Sequence, residues 1–170
     1  MIKCIKSYKF AAQYIIGLGT KKISQNKYRY VEEEYLGLDN NQIPLRIYYS
    51  YKTSKKTIII FLGASPDGEK HKAINLLSKN LASLGYNVFI PRIPPLMQLN
   101  ISNDNIDWIK YIYNLIQNRK DVDRHTIIGF GISYGGGMLL KASMEEEFQK
   151  NPLKSIYLYG SGCNMDTILK

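Results

Sequence analysis

The pentapeptide at residues 131–135, which reads GISYG, constrains this chain more than any other stretch. An apolar run at residues 126–130 precedes it, and a run of small and apolar residues at 136–142 follows it. This order predicts a buried strand, a sharp turn and a helix. Such a turn brings the backbone near Gly131 and Gly135 close to the following helix, where a side chain would collide.

The predicted turn has a chemical consequence at Ser133. It would raise the serine hydroxyl above the carboxyl edge of a sheet and put the backbone N–H of Tyr134 at a helix N-terminus. That N–H would face negative charge developing on a bound carbonyl group. A glycine-rich strand-to-helix turn can also serve packing alone, so the functional interpretation depends on the flanking elements and on a second loop upstream.

Six strands are predicted along the chain. Residues 28–36 and 43–51 are rich in tyrosine, valine and isoleucine and enclose a Gly-Asn-containing turn, which predicts an antiparallel hairpin. Residues 57–62 are apolar on both faces, as expected for a strand inside a parallel sheet. Further strands are predicted at residues 86–90, 126–130 and 155–159.

Three helices are predicted between these strands. The first carries apolar residues at steps of three and four from Ala73 to Leu84, with Ser65 or Asp67 as its cap and Gly85 at its end. A proline-bearing loop follows the next strand, and a second helix covers residues 104–120. The third helix leaves the serine turn and reaches about Phe148, which puts the acidic run 145–147 near its C-terminus.

The predicted fold class is α/β, a mostly parallel sheet that begins with an antiparallel hairpin. The 170 residues suffice for one core, so residues 23–170 are expected to form one domain after an N-terminal segment, 1–22. In open sheets of this kind ligands bind outside the carboxyl ends of the strands. Ser133 and the loop that contains Ala64 and Ser65 are both expected at that edge.

The charge distribution and the cysteine content limit the kinds of partner and cofactor that we expect. The net charge of +9 comes from basic residues spread in pairs, such as those at 21–22 and 119–120, which argues against a nucleic-acid interface. Cys4 and Cys163 lack metal-ligand spacing and are too few for a disulfide framework. We therefore expect no metal, no cofactor, and reduced thiols in the cytoplasm.

The N-terminal segment, residues 1–22, leaves alternatives open. Lys3, Lys6 and Lys9 precede an apolar stretch at 10–18 that is short enough for the core of a signal peptide but lacks a clear cleavage site. A basic amphipathic helix on a membrane surface is the other possibility. No apolar run in the sequence is long enough to span a bilayer.

Over about residues 28–160 the sequence resembles the α/β-hydrolase superfamily. The resemblance rests on the hairpin, the glycine loop after the first fully buried strand, and the GISYG turn. It implies that Ser133 attacks an acyl carbon of a small-molecule or lipid substrate. It also implies that the N–H groups of Tyr134 and Ala64, with Ser65 as the alternative, hold the oxyanion. The family often has His-Gly in that loop, and this chain has Leu62 before its glycine.

The same resemblance implies an acid and then a histidine after the serine, and neither is evident. Asp166 occupies a place where some members carry the acid. His125 opens the strand that ends at the serine turn, about 20 Å away at roughly 3.3 Å per residue. His71 is expected on the flank of the first helix. Ser133 is thus predicted to be the nucleophile of a hydrolase that is incomplete at its C-terminus and whose base lies beyond Lys170. The alternative is a non-catalytic binding or scaffold domain.

Overall fold

A six-stranded sheet organises the chain, whose computed structural model describes residues 27–52 and 56–161. In chain order the strands are β1 (Tyr28–Leu36), β2 (Gln42–Ser50), β3 (Thr57–Phe61), β4 (Asn87–Pro91), β5 (Ile127–Ile132) and β6 (Ser155–Tyr159). Their order across the sheet is β1-β2-β4-β3-β5-β6. β2 is antiparallel to both β1 and β4, whereas β4, β3, β5 and β6 are mutually parallel. The predicted mixed α/β sheet with its leading hairpin is confirmed.

Helices connect the parallel strands of the described chain. They are α1 (Lys72–Leu84), α2 (Pro94–Met97), α3 (Asn105–Gln117), α4 (Tyr134–Ala142) and α5 (Glu146–Lys150). Short 3-10 turns at Gly68–Lys70 and Arg124–Thr126 precede α1 and β5. The predicted end of α1 is confirmed, because Gly85 caps it in the left-handed conformation at φ 115°.

The sheet is covered on both faces, which explains why β3 is apolar after Thr57. All five residues of β3 are buried. Because side chains alternate along a strand, Ile59 and Phe61 face the core built with α3 and α4. Ile58 and Ile60 face the opposite core, which α1 covers. β6 forms one edge of the sheet, and its Tyr157 and Tyr159 side chains are exposed.

The predicted start of α1 was wrong. Neither Ser65 nor Asp67 caps it, because Gly68 adopts φ 48° and so interrupts the right-handed helical path. The 3-10 turn intervenes, and α1 begins at Lys72 with His71 as its N-cap residue. The segment between β3 and α1 is therefore a longer structured loop than the sequence suggested.

Two further expectations on helices were wrong. The proline-bearing loop after β4 contains the short helix α2, since Pro94 and Pro95 occupy its first two positions, where a missing N–H costs no hydrogen bond. The helix after Ser133 ends at Ala142, because Glu145 is extended at ψ 149° and starts the separate helix α5. The acidic run therefore lies at a helix N-terminus, which suits the helix dipole.

Several expectations lie outside the described residues. They are the N-terminal segment 1–22 with its export and membrane-surface alternatives, both cysteines, Cys4 and Cys163, and Asp166. Within residues 27–52 and 56–161, every helix falls short of the length and apolar character needed to cross a membrane.

Ile60→Ala tests the buried centre of the sheet. Ile60 has no exposed surface, so we expect the free energy of unfolding to fall by about 2–5 kcal/mol. Ile101 is 48% exposed, and Ile101→Ala should change stability by no more than about 0.5 kcal/mol. Urea denaturation followed by circular dichroism measures both. Equal effects of the two substitutions would contradict the described core.

Candidate active site

Ser133 lies at the turn between β5 and α4 in a strained backbone conformation. Its φ of 52° and ψ of −130° fall outside the regions that ordinary side-chain-bearing residues adopt. Such a conformation costs on the order of 1–3 kcal/mol and persists only where its surroundings enforce it. The Ser133 N–H donates to the Tyr159 carbonyl oxygen at 2.9 Å, which ties the turn to β6. The side chain of Ser133 is exposed.

The two flanking glycines are required for different reasons. A Cβ atom at Gly131 would lie 2.4 Å from the Gly136 Cα, inside the first turn of α4. A Cβ atom at Gly135 would lie 2.1 Å from the Leu62 carbonyl oxygen, at the end of β3. Gly131 therefore allows the turn itself, whereas Gly135 allows α4 to rest on the neighbouring strand.

The loop after β3 lies directly beside the serine. A Cβ atom at Gly63 would be 3.0 Å from the Ser133 Cβ and 3.4 Å from its Oγ. Ala64 and Ser65 line an open cleft of about 180 Å³ together with Ser133. The structure thus brings together the four residues that the sequence predicted for this site: Ser133, Tyr134, Ala64 and Ser65.

The backbone N–H groups near the serine differ in their hydrogen bonding. Tyr134 is the first residue of α4, so its N–H has no acceptor within the helix. The Ser65 N–H donates to the Leu96 carbonyl oxygen at 3.0 Å. In the described parts of the chain, the Ala64 N–H makes no backbone hydrogen bond. Among the described residues, the N–H groups of Tyr134 and Ala64 therefore have no backbone acceptor.

An ion pair with a fully buried carboxylate holds the loop between β3 and α1, and no sequence pattern predicted it. Glu69 has no exposed surface. Arg92, just after β4, donates from Nε to Glu69 Oε2 at 2.9 Å and from Nη2 to Oε1 at 2.5 Å. This hydrogen bonding raises the pKa of the Arg92 guanidinium. A pair with two parallel hydrogen bonds restricts both distance and orientation, so the loop is held on β4.

Asn75 joins this loop to β2. Its Nδ2 donates to the carbonyl oxygens of Glu69 at 3.0 Å and His71 at 2.9 Å. Its Oδ1 accepts from the Tyr48 hydroxyl at 2.6 Å. Because Asn75 and Tyr48 are buried, these bonds form away from water, and an unmade one would leave a buried polar group unpaired. The first turn of α1 is therefore anchored.

The side chain of Tyr134 fixes the backbone at the start of α4, next to Ser133. Tyr134 is 7% exposed, and its hydroxyl donates to the Ser102 carbonyl oxygen at 2.6 Å. Asn105, which is buried at the start of α3, donates to the same hydroxyl at 3.2 Å. The residue after the serine is thus fixed by its side chain, which leaves its N–H in one position.

The two histidines occupy different surroundings. His71 is exposed, caps α1, and lines the same cleft as Ser133. The sequence placed it on the flank of the helix, and its position at the cleft follows from the later start of α1. His125 is exposed in the 3-10 turn before β5, at the far end of the strand that leads to Ser133. Across the described ranges, there is no cluster of three or more metal-ligating side chains.

Comparison with known proteins bears on the fold. No family model matches the sequence, and no curated protein matches it. A dienelactone hydrolase-like promiscuous phosphotriesterase from metagenomic libraries is 12% identical, with a TM-score of 0.63 over 80% of this chain and 60% of its own. A dienelactone hydrolase from Anabaena variabilis is 11% identical, with a TM-score of 0.63 over 79% of this chain and 64% of its own. Brefeldin A esterase, a bacterial homologue of human hormone-sensitive lipase, is 11% identical, with a TM-score of 0.56 over 84% of this chain and 45% of its own.

The chain has the α/β-hydrolase fold. The neighbours with which it shares this fold are hydrolases, two of the dienelactone hydrolase type and one esterase. The chain spans between 45% and 64% of their lengths. At identities of 11–12% the likeness establishes the fold alone, and a fold hosts many activities.

Gly135→Ala tests the contact between α4 and the end of β3. We expect it to lower the free energy of unfolding by about 3 kcal/mol, because the added Cβ meets backbone atoms that cannot move aside. Gly160 has φ 60°, and no described residue lies within 4 Å of a Cβ atom added there, so Gly160→Ala should cost only about 1 kcal/mol of conformational strain. Thermal unfolding of both variants measures the difference. A smaller loss for Gly135→Ala than for Gly160→Ala would contradict the contact.

Arg92→Ala tests the buried ion pair. The substitution leaves the Glu69 carboxylate buried without its partner, and we expect a loss of about 3–5 kcal/mol. Lys150→Ala removes the exposed pair between Lys150 and Glu146 and should change stability little. Chemical denaturation compares the two. If they have the same effect, Glu69 and Arg92 do not hold the loop.

Proposed function

We propose that the protein is a serine hydrolase of acyl substrates, esters or related compounds, with Ser133 as its nucleophile. The observation that carries the proposal is the strained, exposed Ser133 in a cleft that also contains the loop at Ala64. Strain of this kind accumulates at functional sites because packing alone seldom requires it. The hydrolase activity of the structural neighbours supports the same reaction class.

The proposed reaction has two halves. The Ser133 Oγ loses its proton to a base and bonds to the carbonyl carbon, so the carbonyl oxygen becomes an oxyanion. The N–H groups of Tyr134 and Ala64 donate to that oxygen, and the dipole of α4 adds favourable potential. The tetrahedral intermediate then expels the alcohol, which takes the proton from the base. Water attacks the remaining acyl group by the same route and frees Ser133.

The assignment of the donor pair follows from the hydrogen bonds already made. The Ser65 N–H is engaged by the Leu96 carbonyl oxygen, and freeing it would cost that bond. The proposal therefore uses Ala64 rather than Ser65. Both donors belong to anchored backbone, which is what lets such groups stabilise charge without reorganising during the reaction.

We propose that the base of this reaction is neither of the two described histidines. His125 is separated from Ser133 by the length of β5. His71 lines the cleft, but it is an exposed cap residue that receives no orienting side-chain hydrogen bond from its helix. The resemblance places an acid and a histidine after the serine, so we propose that they complete the site in the whole protein. Asp166 remains a candidate for the acid.

One observation favours a second candidate function. Packing alone explains why Gly131 and Gly135 are glycines, because their neighbours leave no room for a Cβ. A non-catalytic binding or scaffold domain would keep both glycines for folding. It would have no use for the strained Ser133, and it predicts no covalent reaction at that residue.

Ser133→Ala in the full-length protein tests the proposal. We expect hydrolysis of p-nitrophenyl acetate to fall by a factor of roughly 10⁴ or more, because the acyl-enzyme can no longer form. Labelling by a fluorophosphonate probe should disappear as well. Ser143→Ala is the matched control, since Ser143 lies at the opposite end of the same helix, and it should retain both signals.

Two results would change the proposal. Hydrolysis that survives Ser133→Ala would remove Ser133 as the nucleophile, and absence of labelling in the unaltered full-length protein would favour the scaffold function. We expect His71→Ala to keep measurable hydrolysis. A loss as complete as that of Ser133→Ala would make His71 the base.

A further inference from the structure

The cleft beside Ser133 runs from the serine toward the first turn of α1. Its walls are mainly apolar and come from Leu62, Ala64, Ile74 and Ile132. Its volume is about 180 Å³. A cleft of this size suits a short acyl group, and a longer chain would have to extend past its walls into solvent.

We infer that this cleft takes the acyl part of the substrate, that this part is short and uncharged, and that Ile74 limits its length. The inference rests on the proposed function of Ser133. In that reaction the acyl carbon stays bonded to the Ser133 Oγ after the alcohol has left. Ser133 and Ala64 both line the cleft, so a group attached to the acyl carbon enters the cleft directly.

The apolar walls exclude a charged acyl group. A carboxylate or ammonium group placed against Leu62, Ile74 and Ile132 would lose its hydration without gaining a partner. Of the side chains that line the cleft, as far as the chain is described, His71 alone is ionisable. His71 is exposed at the start of α1. A polar end of a substrate is therefore better placed beside His71 than inside the cleft.

The wall at Ile74 is fixed in position. Ile74 is the third residue of α1, is half-buried, and packs against the core between α1 and the sheet. The next residue, Asn75, is held by its bonds to Glu69, His71 and Tyr48. Because those bonds anchor the first turn of α1, they hold the backbone of Ile74 in place beside the cleft.

Leu77 provides a matched control on the same helix. Like Ile74, it is half-buried and packs against the core on that face of the sheet. It follows Ile74 by one turn but does not line the cleft. Leu77→Ala therefore removes a similar amount of apolar side chain from α1 and leaves the cleft unchanged.

The experiment measures kcat/KM of the full-length protein on p-nitrophenyl esters from acetyl to decanoyl, and on acetates of alcohols of increasing length. In the acyl series we expect kcat/KM to fall at least tenfold from butanoyl to decanoyl, since a poorly fitting apolar group costs roughly that much. Ile74→Ala should raise the decanoyl-to-butanoyl ratio by roughly tenfold. Leu77→Ala should leave the ratio within about twofold, as expected for a substitution outside the cleft.

Ile74→Val gives a smaller shift in the same direction and serves if Ile74→Ala does not fold. An unchanged acyl ratio in the Ile74 variants, with hydrolysis still dependent on Ser133, would overturn this inference and leave the proposed function standing. A shift in the alcohol series in place of the acyl series would also overturn it. If no Ser133-dependent hydrolysis occurs in either series, the proposed function and this inference both fail.

Discussion

The structure depends on a close backbone contact between the end of β3 and the start of α4. Gly135 rests on the Leu62 carbonyl, and Gly63 lies against Ser133. No side chain fits between these segments. The loop after β3 and the serine turn are therefore packed directly against each other. Because β4, β3, β5 and β6 are parallel, their carboxyl ends meet at this edge. The contact brings the loop after β3 beside Ser133 at this edge.

Two polar networks around this contact make it rigid. The pair of Glu69 and Arg92, extended by Asn75 to Tyr48, holds the loop and the first turn of α1 on β2 and β4. The Tyr134 hydroxyl, bonded to Ser102 and Asn105, holds the start of α4. Buried polar groups are costly unless fully paired, and these groups are paired around the serine turn and the loop after β3. The same rigidity fixes the wall at Ile74.

Much of the fold could be predicted from the sequence because its signals are local. Apolar runs indicate the strands, and the alternating tyrosine-rich segments indicate the hairpin. The glycine at residue 85 indicates the end of α1. The GISYG motif likewise predicted the turn at Ser133 between a strand and a helix. The Glu69–Arg92 pair joins residues 23 positions apart, and no spacing rule reveals a long-range pair. The later start of α1 arose from a positive φ at Gly68. A glycine residue allows this conformation, but its presence in a sequence does not show that the conformation is adopted. The later start brought His71 to the cleft.

The most direct measurement is a crystal structure of the full-length protein after reaction with an alkyl phosphonate ester. The central claim predicts a phosphorus–oxygen bond to the Ser133 Oγ. It also predicts a phosphonyl oxygen at about 2.7–3.1 Å from the backbone nitrogens of both Ala64 and Tyr134. A phosphonyl oxygen that faces solvent, or that contacts neither nitrogen, would contradict the claim that this backbone contact builds the site.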